Sequence, residues 1–165
     1  MLPLDPPLTR GAEPGWINHD RMFSEGELEA LREDPDDPDR QTEFARRLLE
    51  RDPENLWAMA ILARDAATDF EEIVLLREAV RVGLKLWAPA LEARRPEPDW
   101  VRDKDARLFT GLVRAYGLAL SGAGHRSEAA QCLAFLLRLD PEDSQDAICA
   151  FEVVGVVANA SHRPS

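Results

Sequence analysis

Aspartate stands directly before proline at the edge of an apolar-periodic run at residues 37–38, 52–53 and 140–141. No other feature restricts the fold as much. Proline has no amide hydrogen, so it suits the first position of a helix and disrupts the interior of one. Aspartate before it can accept from the unpaired amides of the first turn. Each Asp-Pro therefore reads as the close of one helix and the cap of the next.

The stretches between these marks carry helical spacing. Ser24 with Glu27 forms a capping pair, and Phe23 with Leu28 the matching apolar staple, for a helix that ends before Pro35. Asp37-Pro38 opens a second helix, with Phe44, Ala45, Leu48 and Leu49 on one stripe and Arg46, Arg47 and Glu50 opposite. Asp52-Pro53 opens a third, "LWAMAILA", running on to Thr68, and Asp69 with Glu72 caps a fourth. Pro89, Pro96 and Pro98 then interrupt the chain, which predicts a Pro-rich connection near 88–99. From Trp100 the period returns with Phe109, Leu112, Val113, Tyr116 and Leu120. After "SGAG", Ser127 caps a helix with Ala129, Cys132, Leu133 and Leu136 on one face, and Asp140-Pro141 opens a last one holding Ile148, Phe151 and Val154. The expectation is an all-α domain of about seven helices over 23–158, with a Pro-rich, extended or mobile segment at 1–22 and a tail at 159–165.

Composition narrows the function. Twenty Lys plus Arg against 31 Asp plus Glu leave a net charge of -11, which repels nucleic-acid phosphates and anionic lipid heads. Neither nucleic acid nor membrane is expected as a partner. The cations are nearly all arginine, a bias that GC-rich bacterial coding produces. Pro3, Pro6, Pro7 and Pro14 do not fit a signal peptide, and Cys132 and Cys149, both in apolar helical patterns, read as buried reduced thiols. Together these point to the cytoplasm.

"FARRLLERDPEN" and "LAFLLRLDPED" are alike: an amphipathic helix, then Asp-Pro-Glu, then another helix. The interval between Pro53 and Pro141 holds two units of roughly 34 residues and an insertion of about 20. With these features the chain resembles a tetratricopeptide repeat protein, most closely over residues 110–143. Gly117 falls on the small residue of the first helix, Gly124 in the turn, and Ala129 on the small residue of the second helix. Val113 and Leu136 depart from the family pattern, and the earlier unit, around Pro53 and Ala79, is degenerate. Residues 50–150 are also similar, more weakly, to the repeat region of suppressor-of-tumorigenicity-7-like proteins. The tetratricopeptide resemblance implies an α-α superhelix of about three helix-turn-helix units. It places Gly117 against Ala129 at the closest approach of two helices. It also implies a concave groove lined by Asn55, Ala58 and Leu62, then Gly111, Arg114 and Leu118.

Other constellations carry less. "SGAGHRSEA" follows a helix and lacks the lysine of a phosphate loop, so it is a turn. "EDPDDPD" lacks the glycine and the spacing of a calcium loop. His19-Asp20, His125 and His162 are too scattered for a metal set, and no GxSxG, CxxC or HExxH occurs. No catalytic residue, metal or cofactor is therefore expected. Trp16, Ile17, Met22 and Phe23 form an apolar cluster that either packs at the edge of the core or lies in the groove as a displaceable self-peptide. The reading is an interaction module, an adaptor or assembly factor, whose groove takes an apolar or helical protein segment with one acidic anchor. The alternatives are a homodimeric structural subunit joined through the apolar C-terminal helix, and an enzyme of unrecognised class.

Overall fold

The computed structural model describes residues 37–92, 100, 103–143 and 146–155. Among them every regular element is helical: α1 (Pro38–Arg51), α2 (Leu56–Arg64), α3 (Asp69–Glu92), α4 (Lys104–Gly122), α5 (Arg126–Leu139) and α6 (Ala147–Val153). The helix expected from Ser24, the segment 1–22 with its apolar cluster, and the tail 159–165 lie outside the described residues.

Each helix packs on the next in the chain, and α4 also touches α2 and α6. The main core runs through α2 to α6, and a smaller one joins α1 to α2 through Ala45, Leu48 and Ala58. The ring of Phe44 meets Trp57 edge-on in that smaller core, at 5.9 Å between centroids. A row of aromatic rings threads the main core. Trp87 lies 5.4 Å from Trp100, which lies 6.1 Å from Phe109, which lies 6.1 Å from Phe135. Trp100 thereby ties the end of α3 to α4 across the long connection.

The Asp-Pro marks divide into two kinds. Asp37 does cap α1: its Oδ1 accepts from the amides of Asp39 and Arg40, and Pro38 holds the first position. Asp52-Pro53 and Asp140-Pro141 do not open helices. Each aspartate closes the preceding one, and its proline sits in a turn before the next. The two turns match closely. The Asp52 amide donates to Leu48 O at 2.8 Å, and the Asp140 amide to Leu136 O at 2.9 Å. Asn55 N then donates to Asp52 O, and Asp143 N to Asp140 O. Asn55 and Asp143 provide the caps: Asn55 Oδ1 accepts from Ala58 N, and the Asp143 carboxylate from Ala147 N and Ile148 N. The second turn is longer and places Asp143 and Asp146 in the left-handed region, at φ 53° and 54°.

Other boundaries shift for local reasons. Thr68, one residue before Asp69, caps α3; its Oγ1 accepts from Glu71 N while the Glu71 carboxylate accepts from Ala67 N. Ser127 lies inside α5, behind His125. Pro89 lies inside α3 instead of ending it. A proline there removes one hydrogen bond near the helix end, but the flanking Trp87 and Ala88 are buried and hold that turn in place. Cys132 is buried as expected, whereas Cys149 is exposed on α6.

Gly117 is the close-packed glycine of α4. A Cβ built there would fall 2.5 Å from Phe151 Cζ and 2.9 Å from Cys132 Cβ, neighbours that the repeat pattern did not predict. Ala129, fully buried, lies one turn before Cys132 on α5. Gly83 makes a second close approach, between α3 and α4, where a Cβ would fall 2.3 Å from Phe109 Cδ2.

Candidate functional site on the surface of helix α4

A helix that touches four others is expected to bury most of its surface, and α4 does so with Phe109, Leu112, Val113, Tyr116, Gly117 and Leu120. One stripe stays at the surface. Lys104, Arg107, Leu108, Gly111 and Arg114 line an open depression of about 300 Å³. Residues 104, 107, 111 and 114 fall three and four apart, so helical geometry stacks them along a single row. Asp103 holds the start of that row in place, with Oδ1 accepting from the amides of Asp105 and Ala106, both at 2.9 Å.

Gly111 sits in the middle of the row, and a Cβ there would meet nothing within 4 Å beyond the local backbone of its own helix and its chain neighbours. Three cations and one apolar wall, Leu108, therefore surround a gap that no side chain fills. Arg114 reaches further. It also lines a crevice with Thr110, Leu136, Asp140, Asp143 and Ala147, of about 10 Å³, room for a single water. It thus lies between the basic row and the acidic Asp-Pro turn that joins α5 to α6.

The predicted groove residues divide between surface and core. Gly111 and Arg114 do share the surface of α4. Leu118 is half-buried and packs against the core. The α2 residues face inward. Asn55 is 5 % exposed, with its carboxamide occupied as a cap, and Ala58 is 0 % exposed beneath α1. Leu62 is half-buried against the α1–α2 core. A register that starts the helix at Pro53 misplaces them, because Pro53 and Glu54 belong to the turn. Lys104, Arg107 and Leu108 were missed by the sequence reading, although counting helical turns back from Arg114 reaches the two cations.

Beneath the stripe the ionisable groups are part of the core. Burial pushes the Cys132 thiol up to about 12 and raises Tyr116 above its usual value. Both are set up for packing. Among the described residues no three His, Cys, Asp or Glu side chains are placed to hold a metal ion, and no helix is long and apolar enough to cross a membrane. No family model, no curated protein and no solved structure matches the chain.

Proposed function

We propose that this chain is a protein–protein interaction module of tetratricopeptide-like helix hairpins that presents the surface of α4 to a partner. The observation that carries the reading is the unfilled depression around Gly111, walled by Leu108 and flanked by Lys104, Arg107 and Arg114. Two features support the repeat architecture. Residues 48–55 and 136–143 share two backbone hydrogen bonds at matching positions, although Asp143 is left-handed where Asn55 is extended. Alternate helices α2, α4 and α6 touch in sequence, as stacked hairpins require. An adaptor needs a rigid face with some open apolar surface and cations to orient what binds, and α4 offers both.

Capture from native lysate tests this on the full chain. Wild type and Arg114→Glu are immobilised side by side, with circular dichroism confirming that both are helical, and retained proteins are identified by mass spectrometry. The reading expects a protein held by wild type and depleted on the variant. Identical retention on both removes α4 as the docking face.

A second reading rests on α6, where Ile148 is 37 % and Val153 83 % exposed. Two exposed apolar side chains on α6 suit a contact with a second copy. Sedimentation at two protein concentrations separates the cases: a rise in mass with concentration, abolished by Val153→Asp, favours the homodimer.

A further inference from the structure

We infer that the α4 stripe docks a short, extended acidic segment of a partner protein, with one apolar side chain of that segment seated over Gly111. The inference rests on the docking reading above and adds the chemistry of the ligand.

Charge placement comes first. In a chain of net charge -11, several of the described cations sit beside carboxylates: Arg40 on Asp37, Arg46 and Arg47 on Glu43, Arg64 on Asp65, Arg81 on Glu78 and Lys85 on Glu54. Among the described residues, neither Lys104 nor Arg107 pairs with a carboxylate. They stand three apart in and just past the first turn of α4, so that one anion can meet both, while the positive end of the helix is already met by the carboxylates of Asp103 and Asp105.

Shape comes second. A volume of about 300 Å³ is at the small end of ligand sites and takes two or three side chains, not a whole helix. From residue 104 to residue 114 the helix rises about 15 Å. An extended peptide covers that length in about five residues. Carboxylates at either end of such a segment reach Lys104 and Arg107 on one side and Arg114 on the other. The residue between them meets Leu108 and the space above Gly111, which explains why the middle of a cationic row holds no side chain. Nucleic acid fits this surface poorly: the overall charge repels phosphates, and the stripe offers no aromatic face for a base.

Gly111→Leu supplies a clean control, since open space surrounds the position and leucine favours a helix more than glycine does. It fills the depression without disturbing the fold. The test selects a phage-displayed random peptide library on the full-length chain and counter-selects on Gly111→Leu. Enriched peptides, alongside a labelled single-stranded oligothymidylate, are then measured by fluorescence anisotropy on wild type and on the double variant Lys104→Glu, Arg107→Glu. The expected result is a consensus with carboxylates on both sides of an apolar residue, bound about tenfold more weakly by the double variant and weakened by salt. A neutral or basic consensus that Gly111→Leu still excludes overturns the acidic ligand and leaves the docking face standing. Enrichment indifferent to Gly111→Leu, or no enrichment, overturns both. Oligothymidylate bound as tightly as the best peptide, and lost in the double variant, replaces the protein ligand with nucleic acid.

Discussion

The ring of Phe151 rests on the backbone of Gly117, so closely that a methyl group at residue 117 would come within 2.5 Å of its Cζ. This contact locks α6 onto α4. Gly117→Ala is therefore expected to destabilise the fold, because overpacking costs about 1–3 kcal/mol against a helix-propensity gain of about 1 kcal/mol. Phe151, fully buried, and Cys132 Cβ give way poorly. Chemical denaturation of the two proteins measures the difference, and a more stable variant would show that α6 does not sit on α4.

Gly111 on the same helix predicts the opposite sign. Beyond the local backbone and its chain neighbours nothing lies within 4 Å of its would-be Cβ, so Gly111→Ala only removes backbone freedom from the unfolded chain. A gain of up to about 1 kcal/mol is expected. Opposite shifts in melting temperature at 111 and 117 would report directly which side of α4 faces out.

Asn55 predicts a cap effect. Its Oδ1 accepts from Ala58 N in a buried setting, so Asn55→Ala leaves that amide without its acceptor. A loss of about 1–2 kcal/mol is expected in urea unfolding, more than for Asp37→Ala at its exposed cap. Equal losses would mean that the turn at Pro53 opens to water.

The two thiols should differ sharply. Cys149 is exposed, while Cys132 is buried with its thiol pushed up to about 12. Iodoacetamide near neutral pH should alkylate Cys149 in the native protein and reach Cys132 only after denaturation, as peptide mass spectrometry can read.

Asp65 gives the acid dependence. The Arg64 guanidinium and then the Thr42 hydroxyl hold its carboxyl down to about 2, from an ordinary 3.8. A depressed carboxylate stabilises the fold above its unfolded value and loses that contribution as pH falls through the folded one. Wild type should thus exceed Asp65→Asn in urea midpoint at neutral pH, with the gap closing between about pH 4 and pH 2. A constant gap would assign the effect to packing.

How much of the fold could be read from residues alone depends on what each signal encodes. The periodicity of Phe109, Leu112, Val113, Tyr116 and Leu120 reports burial directly, and those residues are in the core. Asp-Pro reports a helix boundary but not on which side the proline falls. Asp37 opens a helix and Asp52 closes one, because Pro53 leads through Glu54 to Asn55, a better cap three residues before the Ala58 amide. Starting α2 at Pro53 moves Asn55 and Ala58 from core to groove. Gly83 carries no signal in the sequence, since its reason lies in the ring of Phe109 from another helix. The row 104, 107, 111, 114 is present as spacing, but only the packing of α2, α3, α5 and α6 around α4 shows which of its faces remains open.

The central claim is that partners meet the protein on the open face of α4. Photo-crosslinking in native lysate addresses it with p-benzoylphenylalanine placed at residue 104 on α4 or at residue 81, an exposed position on α3. A specific crosslinked protein is expected from residue 104, absent from residue 81 and suppressed by Gly111→Leu. The same protein crosslinked from residue 81, with none from residue 104, would contradict the claim.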